Sequence, residues 1–528
     1  MKKIEIYDTT LRDGTQGLGF TLSAKEKLDL LIKFDEYHID IVEGGFPQSN
    51  PKEAEFFKYA SMIDLKNSRL AAFGMTSKNS QKVSEDEGIR SLIEANTPVI
   101  TIVGKTWDFH VRDVLGVSND ENLKMIRSTI KFLTDQGKSV IYDAEHFFDG
   151  YKENPSYATK TLQAALEARA DKVVLCDTNG GTLYYEVQKI IKELKSSMGN
   201  IPFGIHTHND TGMAIPNALE AVRQGAEQVQ GTINGVGERC GNADLITIIA
   251  NLFFKMDFEV LNGESSINGL TKLSRYVNKI ANREDDISQS YVGKGAFSHK
   301  GGMHAHAVLK NVSTYEHVPP ETVGNSRNII IGELSGTSAV NETLYKKLGI
   351  KTEDKVLSRI VLERICEMEN KGYVYEDAEA SLILLIKEII GSTINYFKIE
   401  HYSFIINSKQ ATDKFKVDIS AKIGKEKLEA SSKGNGILSC YESTLRKLLE
   451  VYYPFIVDVK NIHRKIKFDL HNREKVNTVR ITADFTDISG YIWTTVSVGD
   501  NFVETAIDSI NEGYQFYIYE MLSKTNEV

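Results

Sequence analysis

Residues 139–177 read SVIYDAEHFFDGYKENPSYATKTLQAALEARADKVVLCD. The runs Ser139–Ala144 and Lys172–Asp177 are short, apolar and β-rich. Between them, Tyr157–Ala168 repeats apolar residues with the three- and four-residue spacing of an amphipathic helix. A buried strand, a helix and a second buried strand predict parallel strands covered on both faces.

The same unit repeats through the first half of the chain, with further helical stretches such as Ala24–Tyr37 between β-rich runs. The predicted strands are Ile4–Asp8, Ile39–Gly44, Leu70–Gly74, Val99–Gly104, Ser139–Ala144, Lys172–Asp177, Phe203–His208 and Val229–Asn234. Eight such units in about 250 residues match the size of a (β/α)8 TIM barrel. A doubly wound open sheet is the alternative α/β fold.

Polar side chains at the ends of the predicted strands distinguish the two folds. They are Asp8, Glu43, Asp143, Glu145, Asp177, His206 and His208. In a barrel the carboxyl ends of all strands meet at one mouth, where active sites lie. An open sheet would spread the same residues along a wide edge. We therefore predict a catalytic TIM barrel over residues 1–265.

The remainder of the chain changes character twice. Residues 266–395 are mainly helical by pattern and contain a Gly/His-rich loop, so we expect helical linker subdomains there. Residues 396–528 alternate in the manner of β-strands. Within them, 432–436 and 497–501 each follow a β-rich stretch and precede a predicted helix, which indicates two βββα units. We predict a small α+β domain for ligand binding or dimerisation.

Composition limits the possible partners. The 528 residues carry a formal net charge of −9, which argues against nucleic acid or an anionic membrane as a general partner. The four cysteines form no CxxC pair and suit reduced thiols, and the charged start lacks a signal peptide's apolar core. No run approaches the roughly 18 apolar residues of a membrane span. We expect a cytoplasmic enzyme.

Two motifs predict a metal site at the barrel mouth. His206 and His208 are two residues apart on a predicted strand, so both imidazoles face the same side. Asp13 follows the first strand, and Asn242 lies in a glycine-rich loop after the eighth. This mixed nitrogen and oxygen set suits Mg²⁺, Mn²⁺ or Zn²⁺ acting as a Lewis acid. Arg12 is a candidate cation for a carboxylate or oxyanion, although Arg12 and Asp13 could also form a structural pair.

Two further strand ends carry polar groups of open function. Asp143 and Glu145 share one face of the fifth strand and could be acid/base groups or helix caps. Thr178, after the sixth strand, could bind a substrate carboxylate or cap the next helix. The residues alone leave both alternatives open.

Several motifs together resemble a known family. DTTLRDG at 8–14, HTHND at 206–210 and GERCGNAD at 237–244 resemble the metal-dependent condensing enzymes and lyases of the DRE-type barrel family. With KGGMHAH at 300–306 and the repeated tail, the whole chain resembles the 2-isopropylmalate, homocitrate and citramalate synthases. GGFPQSNPKE at 44–53 is among the segments that favour the long-form citramalate branch.

The resemblance implies an acyltransferase that condenses acetyl-CoA with pyruvate and water to give (R)-citramalate and CoA. That product belongs to a threonine-independent route to isoleucine. The alternatives are 2-isopropylmalate or homocitrate synthesis, which use other 2-oxo acids, a metal-dependent aldol-type cleavage, and a non-enzymatic small-molecule sensor built on a catalytically inactive barrel. One methylene in an apolar pocket changes binding by only about 1–3 kcal/mol, so the acceptor is the least determined part of this expectation.

The resemblance also implies residue roles. The divalent cation is bound by Asp13, His206, His208 and Asn242. Substrate is bound by Arg12, Asp143 and Thr178, with Arg12 facing the ketone oxygen and Thr178 the keto-acid carboxylate. The catalytic set is Arg12, Glu145, His304 and Tyr315. Glu145 is expected near the acetyl methyl group and His304 on a loop donated to the barrel, while His306 is an alternative to His304.

For the tail the resemblance implies feedback control. Residues 396–528 would form a regulatory and dimerisation domain, with isoleucine as the expected effector and a homodimer as the expected assembly. The alternative is a dimerisation module without an effector site.

Overall fold

A computed structural model describes residues 2–78, 82–332, 335–350, 355–392, 394–407, 409, 411–468 and 478–525. The chain divides into two compact units. The first comprises Met1–Phe297 with His317–Arg327, and the second comprises Ser298–Glu316 with Asn328–Val528. Among the described residues, no helix combines the length and the apolar content needed to cross a membrane.

The first unit contains a closed barrel of eight strands in sequence order. The strands are β1 Glu5–Asp8, β2 Ile41–Gly45, β3 Arg69–Met75, β4 Val99–Lys105, β5 Ser139–Glu145, β6 Lys172–Asp177, β7 Phe203–Thr207 and β8 Gln228–Gly231. Neighbouring strands are parallel, and β8 closes the barrel by pairing with β1. The predicted TIM barrel is confirmed, and the open-sheet alternative is excluded.

Helices connect successive strands and follow the last one. They are α1 Ala24–Glu36, α2 Pro51–Ala60, α3 Glu87–Glu94, α4 Asp108–His110, α5 Asn119–Asp135, α6 Phe147–Glu153, α7 Pro155–Glu167, α8 Tyr184–Met198, α9 Ala214–Arg223, α10 Leu245–Met256, α11 Glu264–Ile267 and α12 Leu270–Ile280. Local sequence fixes several starts. Ser23 and Glu26 form a capping box on α1, and Asn50 caps α2 ahead of Pro51.

Apolar residues fill two layers of the barrel. The interior contains Tyr7, Ile41, Ala71, Val99, Ile141, Val174 and Cys176, all buried. A larger cluster joins the outward faces of the strands to the surrounding helices. Packing on both faces explains why the strands are nearly continuous apolar runs rather than alternating ones. The strand framework is therefore rigid, and it fixes the positions of the side chains at the strand ends.

The last two barrel strands end earlier than predicted. β8 stops at Gly231 instead of Asn234, because Asn234 adopts a left-handed backbone with φ of 64° inside a turn. β7 stops at Thr207, and His208 follows it as an isolated bridge to Asn242. The eighth strand's loop therefore folds back onto the seventh, which brings the two predicted metal motifs together.

The described part of the second unit combines helices with a two-stranded parallel sheet, β9 and β10, and two three-stranded sheets. Its elements are β9 Ser298–His299, α13 Gly302–Lys310, β10 Asn328–Ile329, α14 Thr337–Leu348, α15 Lys355–Asn370, α16 Glu379–Ile389, β11 Lys398–Ile406, β12 Phe415–Ile423, β13 Glu426–Gly434, α17 Ile437–Leu449, β14 Lys460–Phe468, β15 Val479–Thr486, β16 Ile492–Gly499 and α18 Phe502–Thr525.

The predicted internal repeat is present. β11–β12–β13 and β14–β15–β16 are antiparallel three-stranded sheets, and each is followed by one helix. Even an irregularity recurs: the register shifts between Ile399 and His401 in β11 and between Asn461 and His463 in β14. Side chains of both βββα repeats belong to one buried cluster, which includes Tyr441 and Tyr514.

Candidate active site

The carboxyl ends of the barrel strands surround a cavity of about 310 Å³. It is lined by Arg12, Asp13, Gln16, Phe46, Phe73, Met75, Val103, Lys105, Asp143, Glu145, Cys176, Thr178, His206, His208, Glu238 and Arg239. Most of the predicted site residues of the first unit are therefore brought together. The lining joins a polar cluster to an apolar wall, which is the usual composition of a small-molecule site.

Three predicted ligands converge at the base of this cavity. Asp13, His206 and His208 each present one ligand atom, and these atoms lie within 4.8 Å of one another. His206 Nε2 is 3.2 Å from Asp13 Oδ2 and 3.4 Å from His208 Nε2. All three side chains are buried. Two imidazole nitrogens and a carboxylate oxygen facing one point form a possible site for a divalent cation.

A hydrogen bond at Nδ1 fixes the orientation of the His206 ring. Its Nδ1 lies 2.9 Å from Gln230 Oε1, and Gln230 Nε2 donates to Asp143 Oδ1 at 3.0 Å. Because the Gln230 amide group is committed to Asp143, its oxygen accepts from Nδ1–H of His206. Nε2 of His206 is then the ring nitrogen that faces Asp13. A ligating histidine held by such a partner is the usual arrangement at metal sites.

Two orphaned atoms support the fit of a cation. Asn242 Nδ2 lies 2.8 Å from Asp13 Oδ2 and 3.3 Å from His206 Nε2. Asn242 Oδ1 and His208 Nδ1 are buried and have no hydrogen-bond partner among the residues that the structure describes. The two ends of an amide are interchangeable by a half turn of the side chain. After that turn, Oδ1 of Asn242 would face the cluster, where it could serve as an oxygen ligand to a cation.

The protonation states suit the same interpretation. Burial alone would raise the pKa of Asp13, but Arg12 and His206 outweigh it and hold that pKa far below its usual range. Burial, aided by the neighbouring charge of His206, lowers the pKa of His208 to about 3. Asp13 is therefore an anion and His208 neutral at pH 7, which are the forms that bind metal. Burial would lower the pKa of His206, but the hydrogen bond and the charge of Asp13 raise it, so a metal would bind by displacing the His206 proton that faces Asp13.

Arg12 is held beside this cluster by two acids. Its Nε donates to Glu43 Oε2 at 2.6 Å, and its Nη1 lies 3.3 Å from Asp13 Oδ1. The guanidinium carbon is 4.1 Å from the centre of the Phe73 ring. Burial would lower the pKa of Arg12, but the charges of Asp13 and Glu43 raise it instead. The cavity therefore offers a permanent positive charge.

Glu43 is the anchor of this arrangement, and the sequence assigned it no role beyond its position at a strand end. It is fully buried and accepts hydrogen bonds from Tyr7 Oη at 2.7 Å and Thr9 Oγ1 at 2.5 Å. Together with Arg12 these donors satisfy the carboxylate without solvent. The only sequence feature that pointed to Glu43 was its position at a strand end, because the residues that contact it are far apart in the sequence.

Glu145 and Asp143 end β5 with different partners. Glu145 forms an ion pair with Lys105 at the end of β4, a residue that sequence reasoning missed. Asp143 accepts from Gln230, and burial with the nearby charge of Glu43 raises its pKa to about 7. The helix that follows shows no side-chain cap from either carboxylate, so the cap alternative fails for both.

Thr178 is fixed at the cavity wall. The backbone N–H of His146 donates to Thr178 Oγ1 at 2.9 Å, which leaves the threonine hydroxyl proton for another acceptor. Arg239 donates to the Thr178 carbonyl at 2.7 Å and to Asp210 Oδ1 at 2.8 Å. Leu183, not Thr178, is the residue before α8, so the cap alternative fails here too.

The remaining predicted residues belong to the second unit. The rings of His304 and Tyr315 are 4.2 Å apart between centres, so the structure brings these two together. His306 Nδ1 instead lies 3.0 Å from Ser338 Oγ. His299 Nε2 contacts Glu316 Oε1 at 3.1 Å, and both side chains are largely buried. This pair, which the sequence did not predict, ties the residue next to Tyr315 to β9.

The fold and the site define a TIM-barrel protein with a possible metal centre at its mouth. A sequence model described as HMGL-like matches residues 3–277, and one described as homocitrate synthase post-HMGL domain-like matches residues 291–372. A protein named (R)-citramalate synthase from Aquifex aeolicus is 42% identical over 100% of this chain and 99% of its own length.

Other relatives match most of the chain. The (R)-citramalate synthase of Geobacter sulfurreducens is 40% identical over 98% of both chains. The 2-isopropylmalate synthase of Methanocaldococcus jannaschii is 33% identical over 74% of this chain and 72% of its own. The chain therefore belongs to the HMGL-like family, in the branch of the (R)-citramalate synthases. The family resemblance seen in the sequence is confirmed.

Proposed function

We propose that this protein is a (R)-citramalate synthase that condenses acetyl-CoA with pyruvate and water to give (R)-citramalate and CoA. The observation that carries the proposal is the cluster of Asp13, His206 and His208 beside Arg12, in a chain that matches enzymes of that name from end to end. A 2-oxo acid carries a carboxylate and a ketone oxygen, and the cavity has a cation and hydrogen-bond donors for both.

Pyruvate would bind through Arg12 and Thr178. The hydroxyl of Thr178 has its proton available because its oxygen already accepts from His146. We assign that proton to the keto-acid carboxylate, and the guanidinium of Arg12 to the ketone oxygen, where negative charge develops. Asp143 and Gln230 hold His206 in place behind them.

A divalent cation held by Asp13, His206, His208 and Asn242 would supply Lewis-acid polarisation of the acceptor ketone. Mg²⁺, Mn²⁺ and Zn²⁺ all accept this mixture of nitrogen and oxygen ligands. The chain's own contribution is to keep Asp13 ionised and both imidazoles oriented.

Glu145 is the base that we propose for the acetyl methyl group. It lines the same cavity as Arg12, and Lys105 keeps its carboxylate anchored at the wall. Removal of a methyl proton gives a nucleophilic carbon, which forms the new bond to the ketone carbon of pyruvate. The ketone oxygen becomes an alkoxide beside Arg12 and takes a proton from solvent, while Glu145 releases to solvent the proton that it removed, giving citramalyl-CoA.

His304 is the residue that we propose for thioester hydrolysis. Its ring packs on Tyr315, whereas His306 is engaged by Ser338, and this difference favours His304 over His306 as the free general base. His304 would take a proton from water as it adds to the thioester carbonyl. The carbon–sulfur bond then breaks, CoA leaves as the thiol, and the product is citramalate.

The deciding experiment is CoA release from acetyl-CoA with added Mg²⁺ or Mn²⁺ across a panel of 2-oxo acids. We expect the highest kcat/KM with pyruvate and (R)-citramalate as the product by chiral chromatography. A higher kcat/KM with 2-oxoisovalerate would make the protein a 2-isopropylmalate synthase. Absence of CoA release with every acceptor would leave an aldol-type lyase, tested with citramalyl-CoA as substrate.

We further propose a cytoplasmic homodimer under feedback control by isoleucine, with its regulatory and dimerisation domain in residues 396–528. Supporting observations are the two βββα units and the full-length match to the citramalate branch. Light scattering of the purified protein should give twice the 59.1 kDa chain mass. A monomeric mass at micromolar concentration would contradict the dimer.

A further inference from the structure

The ends of β5 and β6 carry two residues that the proposed reaction assigns to different substrates. Glu145 is assigned to the acetyl methyl group and Thr178 to the keto-acid carboxylate, and both line the cavity at the barrel mouth. Formation of the carbon–carbon bond requires a fixed separation of the two substrates, because a misplacement of about 1 Å can cost about 10²-fold in rate. The next residues along the chain, His146 and Asn179, are outside the cavity lining and have no role in the reaction as proposed.

Asp149 of α6 contacts both of these neighbouring residues through one atom. Nδ1 of His146 lies 3.3 Å from Asp149 Oδ2, and Asn179 Nδ2 donates to the same oxygen at 2.9 Å. Because a carboxylate oxygen accepts, Nδ1 of His146 carries the ring proton. One acceptor therefore connects the residue after Glu145 to the residue after Thr178.

A backbone hydrogen bond closes these contacts into a ring. The backbone N–H of His146 donates to Thr178 Oγ1 at 2.9 Å, and Asn179 follows Thr178 in the chain. The contacts therefore run from His146 to Asp149, on to Asn179 and Thr178, and back to His146. Members of such a network support one another, so the loss of one contact loosens the others.

The backbone of His146 depends on support from its side chain. Its φ of 55° and ψ of 34° are left-handed, a conformation that residues with a Cβ rarely adopt. The buried ring packs against His110, with ring centres 4.3 Å apart, and against Trp107 at 5.7 Å. A strained backbone persists only where its surroundings hold it. Here the left-handed turn follows Glu145 directly and directs the His146 N–H to Thr178.

We propose that Asp149 is a positioning residue that fixes the separation between Glu145 and Thr178 by holding His146 and Asn179 together. Asp149 lies outside the cavity lining, so it acts on the reaction only through these neighbours. The inference rests on the proposed function for the roles of Glu145 and Thr178.

Three variants separate geometry from charge and from general stability. Both donors use Oδ2 of Asp149, so the amide oxygen in Asp149→Asn can accept from both, whereas Asp149→Ala has no acceptor there. Lys152→Met is the matched control. Lys152 lies on the same helix and contacts Thr182 Oγ1 at 3.3 Å and Glu186 Oε1 at 3.3 Å, outside the ring of contacts. These contacts remain in Asp149→Ala, so we expect that variant to fold.

Steady-state CoA release at saturating Mn²⁺ measures the effect, with the 2-oxo acid that gives the wild type its highest kcat/KM. We expect Asp149→Ala to lower kcat about tenfold or more and to raise KM for that acid, with an unchanged Mn²⁺ requirement. A purely structural role would lower Tm without this change in kcat and KM. Asp149→Asn should restore kcat to within about threefold of wild type, and Lys152→Met should match wild type. Wild-type kcat and KM in Asp149→Ala, or an equal loss in Asp149→Asn, would overturn the proposal.

Hydrogen–deuterium exchange tests the ring of contacts without turnover. By mass spectrometry, the peptide that contains His146 should exchange faster in Asp149→Ala than in wild type, and at the wild-type rate in Asp149→Asn and Lys152→Met. Failure of the proposed function would appear as absence of CoA release in the wild type itself and would leave this exchange result unaffected. Equal exchange in wild type and Asp149→Ala would overturn the role of Asp149 whatever reaction the wild type catalyses.

Discussion

Arg12 is the cation that we propose for the ketone oxygen of the substrate, and two buried acids fix the position of its guanidinium group. Glu43 fixes Nε, and Asp13 faces Nη1. The guanidinium is therefore oriented before substrate arrives. A donor that is already in position stabilises developing charge without reorganisation, which is the largest single contribution in many enzymes.

Arg12→Lys should separate this orientation from the charge itself. Lysine keeps a cation near Glu43, so the fold should persist, but it has no planar fork to contact Glu43 and the ketone oxygen at once. We expect kcat for CoA release to fall about 10²–10³-fold, as for loss of an oriented donor. Arg127→Lys, at an exposed position on α5, is the matched control and should be unchanged. A kcat within twofold of wild type in Arg12→Lys would contradict the assignment.

Gln230→Met should weaken the binding of metal without removing a ligand. Methionine fills a similar volume but cannot accept the Nδ1 proton of His206, so the imidazole loses its fixed tautomer and direction. Loss of such a supporting hydrogen bond lowers metal affinity about 10–100-fold. Titration of activity with Mn²⁺ should show this shift, with much of the kcat recovered at saturating metal. An unchanged Mn²⁺ requirement would show that Gln230 has no such role.

The structure brings three of the four predicted ligands, Asp13, His206 and His208, to one point, but the residues that support them were not predicted. Asp13, His206, His208 and Asn242 stand in short motifs whose spacing places them at a barrel mouth. Glu43, Lys105 and Gln230 were not assigned roles, because each acts through a partner on another strand. Which strand faces which is a property of the closed barrel and is absent from any local window of sequence.

At the scale of elements, the loop after β8 depends on a glycine. A Cβ at Gly237 would overlap the side-chain amide oxygen of Asn242, so the Asn242 side chain can keep its position only opposite a residue without Cβ. The glycine-rich run therefore positions a candidate ligand. It does not itself need to contact a phosphate, unlike glycine loops of nucleotide-binding proteins.

Gly237→Ala should displace Asn242 from the metal cluster. We expect a loss of activity of tenfold or more and a higher Mn²⁺ requirement, while the barrel stays folded by circular dichroism. Gly181→Ala is the matched control, because its Cβ would meet no atom within 4 Å. Equal activity in the two variants would show that the close approach at Gly237 has no functional consequence.

Ser381 of α16 donates a hydrogen bond to Glu512 of α18. This contact should make the thermal stability of the second unit depend on pH. The folded-state pKa of Glu512, about 7, lies above its ordinary value of 4.5, so the folded state holds this proton more tightly than the unfolded state does. The resulting stabilisation is complete below pH 4.5 and is lost as the pH rises to about 7. The Tm of the wild type should therefore fall relative to that of Glu512→Gln as the pH rises from 4.5 to 7. Above pH 7 the difference between the two Tm values should remain constant. A difference independent of pH would contradict the raised pKa.

The sequence predicted the positions of strands correctly where both faces of the strand are buried. All eight barrel strands were predicted, because burial on both faces makes them apolar throughout. The predicted end of β8 was wrong, because Thr232 and Asn234 are compatible with a strand by propensity. The chain turns there only because the loop returns to β7. Tertiary contacts overrode local preference at the point where the site is built.

At the scale of the whole molecule, the two ends of the barrel have different tasks. At the amino-terminal end, Glu5 accepts from Arg69, Lys172 and Gln228 and links three other strands. Burial would raise the pKa of Glu5, but Lys172, Gln228 and Arg69 outweigh it and lower that pKa. This end stabilises the barrel, whereas the candidate ligands Asp13, His206 and His208 lie at the carboxyl end, where TIM barrels carry their active sites.

Feedback by isoleucine is the prediction that involves the whole chain. If an amino acid bound to the second unit inhibits the barrel, linkage requires substrates to weaken amino-acid binding by the same factor. We expect isoleucine to lower the affinity for pyruvate by about 5–150-fold, the usual range of such coupling, and saturating pyruvate to lower the affinity for isoleucine equally. Titrations of each ligand in the presence of the other measure both factors. Isoleucine binding that pyruvate does not affect would show that the second unit binds amino acid without controlling the barrel.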